Sequence, residues 1–436
     1  GDRRPRTVPS GFGGRVKDGQ EWRDWLALSL QQEPAATPDG LRWQPLLPVS
    51  TRQLYCRRDL GRLPELAYLL RSPARRWLAK GSWHAGRLGL GWPRGEVAMA
   101  REQADVLQQV LPEGTGASPV LIQFGSPGPF QKVVVLSVSP AGRAWVSKIG
   151  FRPGADDLLA GEASWLARLG QIADIKTYVP ELALAGRLAS GRCFLTMPAA
   201  TVQPSRAQLG PLHRRFLQHL CRASVSEWLW DEAPLRRRLH DRFLRLSGSV
   251  ASPVLNGPLE EWQRIDAELR GQVIPTCIGH GDFAPWNINR DARAITVFDW
   301  EYAQDSATPL HDFFHFHCIQ RVLLRRSRLR PRGLDALLQA GRSHLQAVLP
   351  SVDQSANRVA QMFGLYLLDT LSMYVEASGG VDAGDLVVAD CVECLLTLRL
   401  LDDSPAERVA GSWADRTRWS VSGTGNGDAT VSIRPR

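Results

Sequence analysis

The chain has 436 residues, 44% hydrophobic and 22% charged, with 53 Lys and Arg against 44 Asp and Glu for a formal charge of +9. It can bury a large core and should hold two or three domains. Seven scattered cysteines, an odd number, argue against a disulfide framework and for a reducing cytoplasm; no run approaches a membrane span, and the Arg-rich start lacks an apolar signal core.

Taken in chain order, residues 1–18 are polar, basic and rich in Pro and Gly, and read as a flexible terminus. Residues 19–117 carry Trp22, Trp25, Trp43, Trp77, Trp83 and Trp92 and apolar runs such as Leu60 to Leu70, too hydrophobic for a disordered linker. This extension reads either as a small cap on the lobe that follows or as a separate recognition domain. From Val120 to Val138 the pattern is strand, loop, strand. Gly125 and Gly128 in that loop can bring backbone N–H groups close to phosphate, but Pro127 and Pro129 remove donors and a plain hairpin turn fits equally.

Alternation predicts a strand over Ala144 to Ile149, with Lys148 on the face of Val146 and with Trp145, Ser147 and Ile149 on the other. After Arg152-Pro153-Gly154, Leu158, Leu159, Ala163, Leu166 and Leu169 recur near helical spacing, which predicts a helix over 157–170 with Glu162 inside it. Cys193 to Ala200 has the look of a last strand running into a hinge. Residues 118–200 thus form a small lobe, 201–402 a mostly helical one, and the Ser/Gly-rich 403–436 a flexible tail. Cys391 and Cys394 lack a second ligand pair and read as helix packing rather than a zinc site.

The densest chemistry lies in His280-Gly281-Asp282-Phe283-Ala284-Pro285-Trp286-Asn287, with Asp299 twelve residues on in Val297-Phe298-Asp299-Trp300-Glu301. Phosphoryl transfer needs a carboxylate to orient a hydroxyl and take its proton, and oxygen ligands to hold Mg²⁺ against a nucleotide's phosphates. Asp282 and Asn287 stand at the interval that the kinase catalytic loop uses for these two tasks. A short strand over 287–289, a polar turn over 290–293 and a strand over 294–298 would bring Asn287 and Asp299 side by side. An amide oxygen and a carboxylate suit Mg²⁺, which takes a hard octahedral oxygen shell. Any one of these residues alone reads as an ordinary surface acid or turn; the constellation carries the chemistry.

The runs HGDFAPWN and VFDWEYA closely resemble the aminoglycoside phosphotransferase and choline kinase-like group. That resemblance implies an α+β, two-lobed protein-kinase-like fold, with a small antiparallel-sheet N-lobe and a mainly helical C-lobe. It also implies Asp282 as catalytic base, Asn287 and Asp299 as Mg²⁺ ligands and His280 as a brace for the loop. Asp312, in Pro309-Leu310-His311-Asp312-Phe313, would tie the loop to the next helix. A kinase further demands a strand lysine paired with a helix glutamate, which selects Lys148, with the face that meets the cleft left open, and Glu162, for which a solvated helix glutamate is the alternative. Backbone groups near Met197 and Ala199 meet the adenine by resemblance alone. The likeness covers roughly the latter two thirds of the chain, and its strong motifs occupy 280–312 only.

The expected activity is transfer of the γ-phosphoryl group of ATP or GTP to a hydroxyl of a small molecule, a sugar or saccharide-type metabolite first, with Mg²⁺ as cofactor. A nucleotide-binding pseudokinase is the alternative, although none of the required groups is missing. A protein kinase is disfavoured by HGD in place of HRD and by the lack of an Ala-Pro-Glu element after Asp299. Nucleic-acid binding lacks any recognised module. Arg236, Arg237, Arg238, Arg242 and Arg245 crowd one predicted helix, and six arginines fall between Arg321 and Arg332. Such a basic face favours a neutral or anionic acceptor over a polycation and, with exposed tryptophan, suits peripheral contact with the inner face of a membrane; a merely solvated basic surface is the even alternative.

Overall fold

Short β-rich runs with alternating burial build the first of two compact units in the computed structural model. It describes residues 41–46, 54–70, 72–87, 97–99, 101–126, 128–200, 205, 207–249, 253–291, 293–325, 329, 331–377 and 386–402. The first unit comprises 1–205 and 289–302, the second 206–288 and 303–436. The predicted flexible ends, together with Trp22, Trp25, Trp92, Pro127, Arg326, Arg328 and Arg330, lie outside the described residues.

In the first unit, β1 (Leu41–Pro45), β2 (Leu54–Arg57), helix α1 (Pro73–Arg87), β3 (Val97–Met99) and helix α2 (Arg101–Gln108) precede β4 (Ser118–Phe124), β5 (Lys132–Val138) and β6 (Ala144–Gly150). Helix α3 (Pro153–Leu169), β7 (Leu184–Arg187) and β8 (Cys193–Pro198) follow. The eight strands form one antiparallel sheet in the order β3-β1-β2-β4-β5-β6-β8-β7. Both faces are covered. Trp43, Tyr55, Phe124, Val133, Val135, Trp145 and Ile149 pack in one core, while Leu54, Cys56, Leu121, Leu136, Ala79 and Trp83 pack in another.

The described part of the extension is therefore no separate domain. Leu54, Tyr55 and Cys56 pair with Gln123, Ile122 and Leu121, so the boundary placed at 117/118 falls inside one sheet. Trp43 and Trp83 are core residues, whereas Trp77 on α1 is 73% exposed. Sequence showed the apolar content but not that it continued the neighbouring sheet, because register is set by partners far along the chain.

The second unit is mainly helical: α4 (Pro211–Ser224), β9 (Ser226–Leu229), α5 (Pro234–Ser249), α6 (Asn256–Leu269) and β10 (Val273–Gly279) lead to the His280 loop. The chain then forms a hairpin of β11 (Ile288–Arg290) and β12 (Ile295–Val297), and 289–302 belongs to the first unit. Back in the second unit come β13 (Gln304–Ala307), α7 (His311–Gln320) with a π turn over Arg321–Arg325, α8 (Pro331–Val348), α9 (Ala356–Ala377) and α10 (Leu386–Asp402). Strands β13, β10 and β9 form a small antiparallel sheet. Phe283 of the loop is buried among Phe216, Phe316, His213 and His280, which anchors the loop in the aromatic core. Cys391 and Cys394 are buried in α10, and no described helix is long and apolar enough to cross a membrane.

The basic runs change meaning in three dimensions. Arg236 pairs with Asp266 at 2.6 Å, Arg242 with Asp369 at 2.6 Å, and Arg245 with Glu376 at 2.6 Å. Arg238 reaches Asp369 at 3.2 Å, and Arg321 grips both oxygens of Asp390 at 2.7 and 2.5 Å. Burial opposes ionisation of Asp369, yet Arg238, His311 and Arg242 hold its carboxyl well below the usual range. Arg236, Arg238, Arg242 and Arg321 are part-buried counter-ions, while Arg245 is paired but 61% exposed, so the paired arginines give no ground for an anion-seeking surface.

Two histidines give the second unit an acid-sensitive point. His344 stacks on Phe313 with centroids 4.9 Å apart, and His317 lies 4.9 Å from the same ring. Both ring nitrogens of His344 and Nε2 of His317 are buried without a hydrogen-bond partner among the described residues. Burial, reinforced by Arg214, pushes each imidazole down to about 4. A folded pKa below the unfolded one means that the unfolded chain binds protons first, so stability is full above about pH 6.5 and is lost as pH falls toward 4. The loss should approach roughly 3 kcal/mol per histidine at about 1.4 kcal/mol per pKa unit. Urea unfolding from pH 8 to 4.5 should be flat, then fall, and His344→Phe should fall less steeply; equal slopes would contradict the assignment.

Candidate active site

Within the first unit, Lys148 occupies the half-buried face of β6, opposite Val134 and Leu195 on the flanking strands. Its Nζ lies 2.7 and 2.9 Å from the two carboxylate oxygens of Glu162 on α3, a residue only 1% exposed. The register of α3 is fixed from its first turn. Asp156 accepts the Cys193 N–H at 2.7 Å and Arg192 at 2.8 Å, tying the helix to β8. Gly150 makes room for this, since a Cβ there would lie 2.2 Å from the Asp156 carboxylate.

Lys148 also donates to Asp299, and Lys132 at the start of β5 donates to Glu301. The turn over Trp300–Tyr302 packs on α3. Burial opposes the Lys148 charge, but Asp299 and Glu162 outweigh it and raise the ammonium's pKa. Burial likewise pushes the Glu301 carboxyl above its usual range, against the pull of Lys132. Glu162, Asp299 and Glu301 each offer an oxygen within 4.8 Å of the others. Asp299 has φ +63°, the one non-glycine with positive φ among the described residues. An L-residue held there carries roughly 1–2 kcal/mol of backbone strain.

Within the second unit, β10 delivers the His280 loop. Gly279 passes so close to β13 that a Cβ would lie 2.6 Å from the Ala307 Cβ, and Gly281 takes φ +80°. Asp312, in the first turn of α7, accepts the N–H of His280 at 2.7 Å and of Gly281 at 3.1 Å. His280, fully buried, accepts the Asp282 N–H on Nδ1 at 3.2 Å. The Asn287 side-chain amide donates to the Asp282 carbonyl at 2.9 Å and to its carboxylate at 2.7 Å. His315 Nε2 lies 3.0 Å from the other carboxylate oxygen. The Asp282 side chain stays 26% exposed, within reach of a substrate.

Other predicted positions are engaged differently. The Gly125 N–H donates to the Lys132 carbonyl at 2.8 Å, closing the β4–β5 hairpin, so it is not offered to a phosphate. Gly128 takes φ +151° in the turn. Met197 is buried on β8 opposite Val146, and the Ala199 N–H is taken by the Ala144 carbonyl at 2.9 Å rather than left for a base. Asn287 ends a 3-10 turn (Pro285–Asn287) instead of starting β11. Sequence reading missed Lys132, Glu301 and His315. The two-residue step from Asp299 to Glu301 was the available signal for one; His315 is four residues beyond His311 on a helix with little amphipathic pattern.

A family model described as the phosphotransferase enzyme family matches residues 131–350, half of the chain. The chain belongs to the phosphotransferase enzyme family. It is an enzyme, a phosphotransferase, with an antiparallel sheet in its first unit and a mainly helical second unit. Among solved structures it is similar to a thermostable mutant of aminoglycoside phosphotransferase APH(4)-Ia at 14% identity, covering 69% of this chain and 100% of that one with a TM-score of 0.47. It is also similar to macrolide 2'-phosphotransferase type I at 15% identity, covering 68% and 96% with a TM-score of 0.43. A third is macrolide 2'-phosphotransferase MphH from Brachybacterium faecium, at 16% identity, 66% and 97% coverage and a TM-score of 0.40. No curated protein matches the chain.

Each unit taken by itself offers a hard oxygen of the kind a divalent cation takes. Because two acceptors of Asp282 face the Asn287 amide, its NH₂ must point at them, which leaves its carbonyl oxygen as a neutral ligand. Asp299 supplies a half-exposed carboxylate in the first unit. The positive φ at Asp299 gives a direct test. Asp299→Gly and Asp299→Ala both lose the carboxylate, but glycine relieves the left-handed backbone, so it should be the more stable by about 1 kcal/mol in urea unfolding. A more stable alanine variant would contradict the strained conformation.

Proposed function

We propose that the chain transfers the γ-phosphoryl group of ATP to a hydroxyl of a neutral, sugar-type small molecule, with Mg²⁺ as cofactor. The observation that carries this reading is the Lys148 ammonium held jointly by Glu162 and by Asp299 in its left-handed conformation. An ammonium so placed suits the α- and β-phosphates of a nucleotide, as the strand-lysine and helix-glutamate pair of kinases does. Asn287 and Asp299 would hold Mg²⁺, which neutralises charge on the phosphate oxygens. Asp282, kept in place by Asn287 and by the His280 loop, orients the acceptor hydroxyl and takes its proton as the bond to phosphorus forms.

The choice of a neutral acceptor follows from the ion pairs of α5 and the π turn. With Arg236, Arg238, Arg242, Arg245 and Arg321 each matched by a carboxylate of the chain, an anionic acceptor draws no support from them, and a polyhydroxylated one needs no counter-charge. A pseudokinase is less favoured because lysine, glutamate, base and both candidate metal ligands are all present. ADP release from Mg²⁺-ATP should be stimulated by one member of a panel of sugars, amino alcohols and glycosides. Asp282→Ala should lower that rate by about 10²–10⁴-fold while nucleotide binding persists. Equal turnover in the wild type and Asp282→Ala would overturn the proposed chemistry.

A further inference from the structure

We propose that His315 is a positioning residue for phosphoryl transfer, its Nε2–H holding one oxygen of the Asp282 carboxylate while Asn287 holds the other. This rests on the reading of Asp282 as the base. The contact is 3.0 Å from Nε2 to Oδ1, beside 2.7 Å from Asn287 Nδ2 to Oδ2. A carboxylate oxygen accepts, so the contact has Nε2–H as its donor. Nδ1, on the far side of the ring, is buried and has no hydrogen-bond partner among the described residues, so the ring's one polar contact there is the clamp on Asp282.

The ring itself cannot swing. His315 is 1% exposed, lies parallel to His311 with an interplanar angle of 3°, and meets the Tyr366 ring edge-on with centroids 6.0 Å apart. Three residues earlier on the same helix, Asp312 secures the backbone of His280 and Gly281. Residues three apart share a helix face. Helix α7 therefore fixes the loop twice, its main chain through Asp312 and its reacting side chain through His315. With both oxygens engaged by fixed donors, the carboxylate keeps one orientation, and the entropy of aligning it with the hydroxyl is settled before substrate arrives.

Two measurements test this, with water as the phosphoryl acceptor in Mg²⁺-ATP hydrolysis. His315→Phe, which keeps an aromatic ring but no donor, should lower kcat by roughly 10- to 100-fold, the scale on which loss of an outer-shell hydrogen-bond partner acts at metal sites. The KM for ATP should be unchanged, and His315→Gln, which can still donate, should recover most of the rate. In ¹⁵N-histidine NMR of the wild type, His315 should be the Nε2–H tautomer with a downfield proton signal that moves upfield in Asp282→Ala; this readout stands even if His315→Phe fails to fold. Wild-type kcat in His315→Phe beside an inactive Asp282→Ala, or an Nδ1–H tautomer, would overturn the clamp alone. Undiminished hydrolysis in Asp282→Ala would remove the base and the clamp with it.

Discussion

One half-buried ammonium sets the conditions for the chemistry of the first unit. Lys148 needs negative partners because desolvating a lone charge costs several kcal/mol, and it has two, Glu162 from α3 and Asp299 from the segment after β12. The surrounding structure serves that arrangement. Asp156 and Gly150 lock α3 against β6 and β8, and the turn after Asp299 packs on the same helix. Glu301 with Lys132 adds a second pair, so three carboxylates meet two ammoniums in one neighbourhood. A surplus anion of this kind favours a cation, and the left-handed backbone of Asp299 is a local cost that the ion pairs offset.

The second unit solves a different problem, which is to present one carboxylate in one orientation. It does so with few parts: a glycine at positive φ, an aspartate that accepts two loop N–H groups, an asparagine amide and a histidine ring. The aromatic cluster around Phe283 makes the loop part of the core rather than a surface excursion. Rigid support and an accessible carboxylate are compatible because the donors approach from the buried side.

Much of this was legible in the sequence where a local pattern coincides with a chemical need. Period-two alternation put Lys148 on the face of Val146, which the structure shows to be the less buried face of β6, and helical spacing put Glu162 on α3, which begins four residues before the predicted start. The five-residue interval from Asp282 to Asn287 is local too, and the two side chains touch. What stayed hidden depends on partners distant in sequence. Glu301 meets Lys132 across 169 positions, and Arg242 meets Asp369 across 127. Counted along the chain, the arginines of α5 looked like a basic surface; in space most are matched by carboxylates on other helices. Likewise, a glycine suggests a free N–H, but only the ladder shows that Gly125 has already committed its own to Lys132.

The most direct measurement is thermal stabilisation by nucleotide, with Mg²⁺ present or chelated, in the wild type and in Asp299→Asn, which keeps a residue tolerant of positive φ and removes only the charge. A ligand that binds the folded state alone adds about 2.7 kcal/mol of stability by mass action at a hundredfold excess over Kd, and Tm rises with it. The wild type should be stabilised by ATP, GTP or both only when Mg²⁺ is present, and Asp299→Asn should lose that shift while folding normally. Stabilisation that ignores both Mg²⁺ and Asp299, or none with either nucleotide, would contradict a phosphotransferase site organised around Lys148.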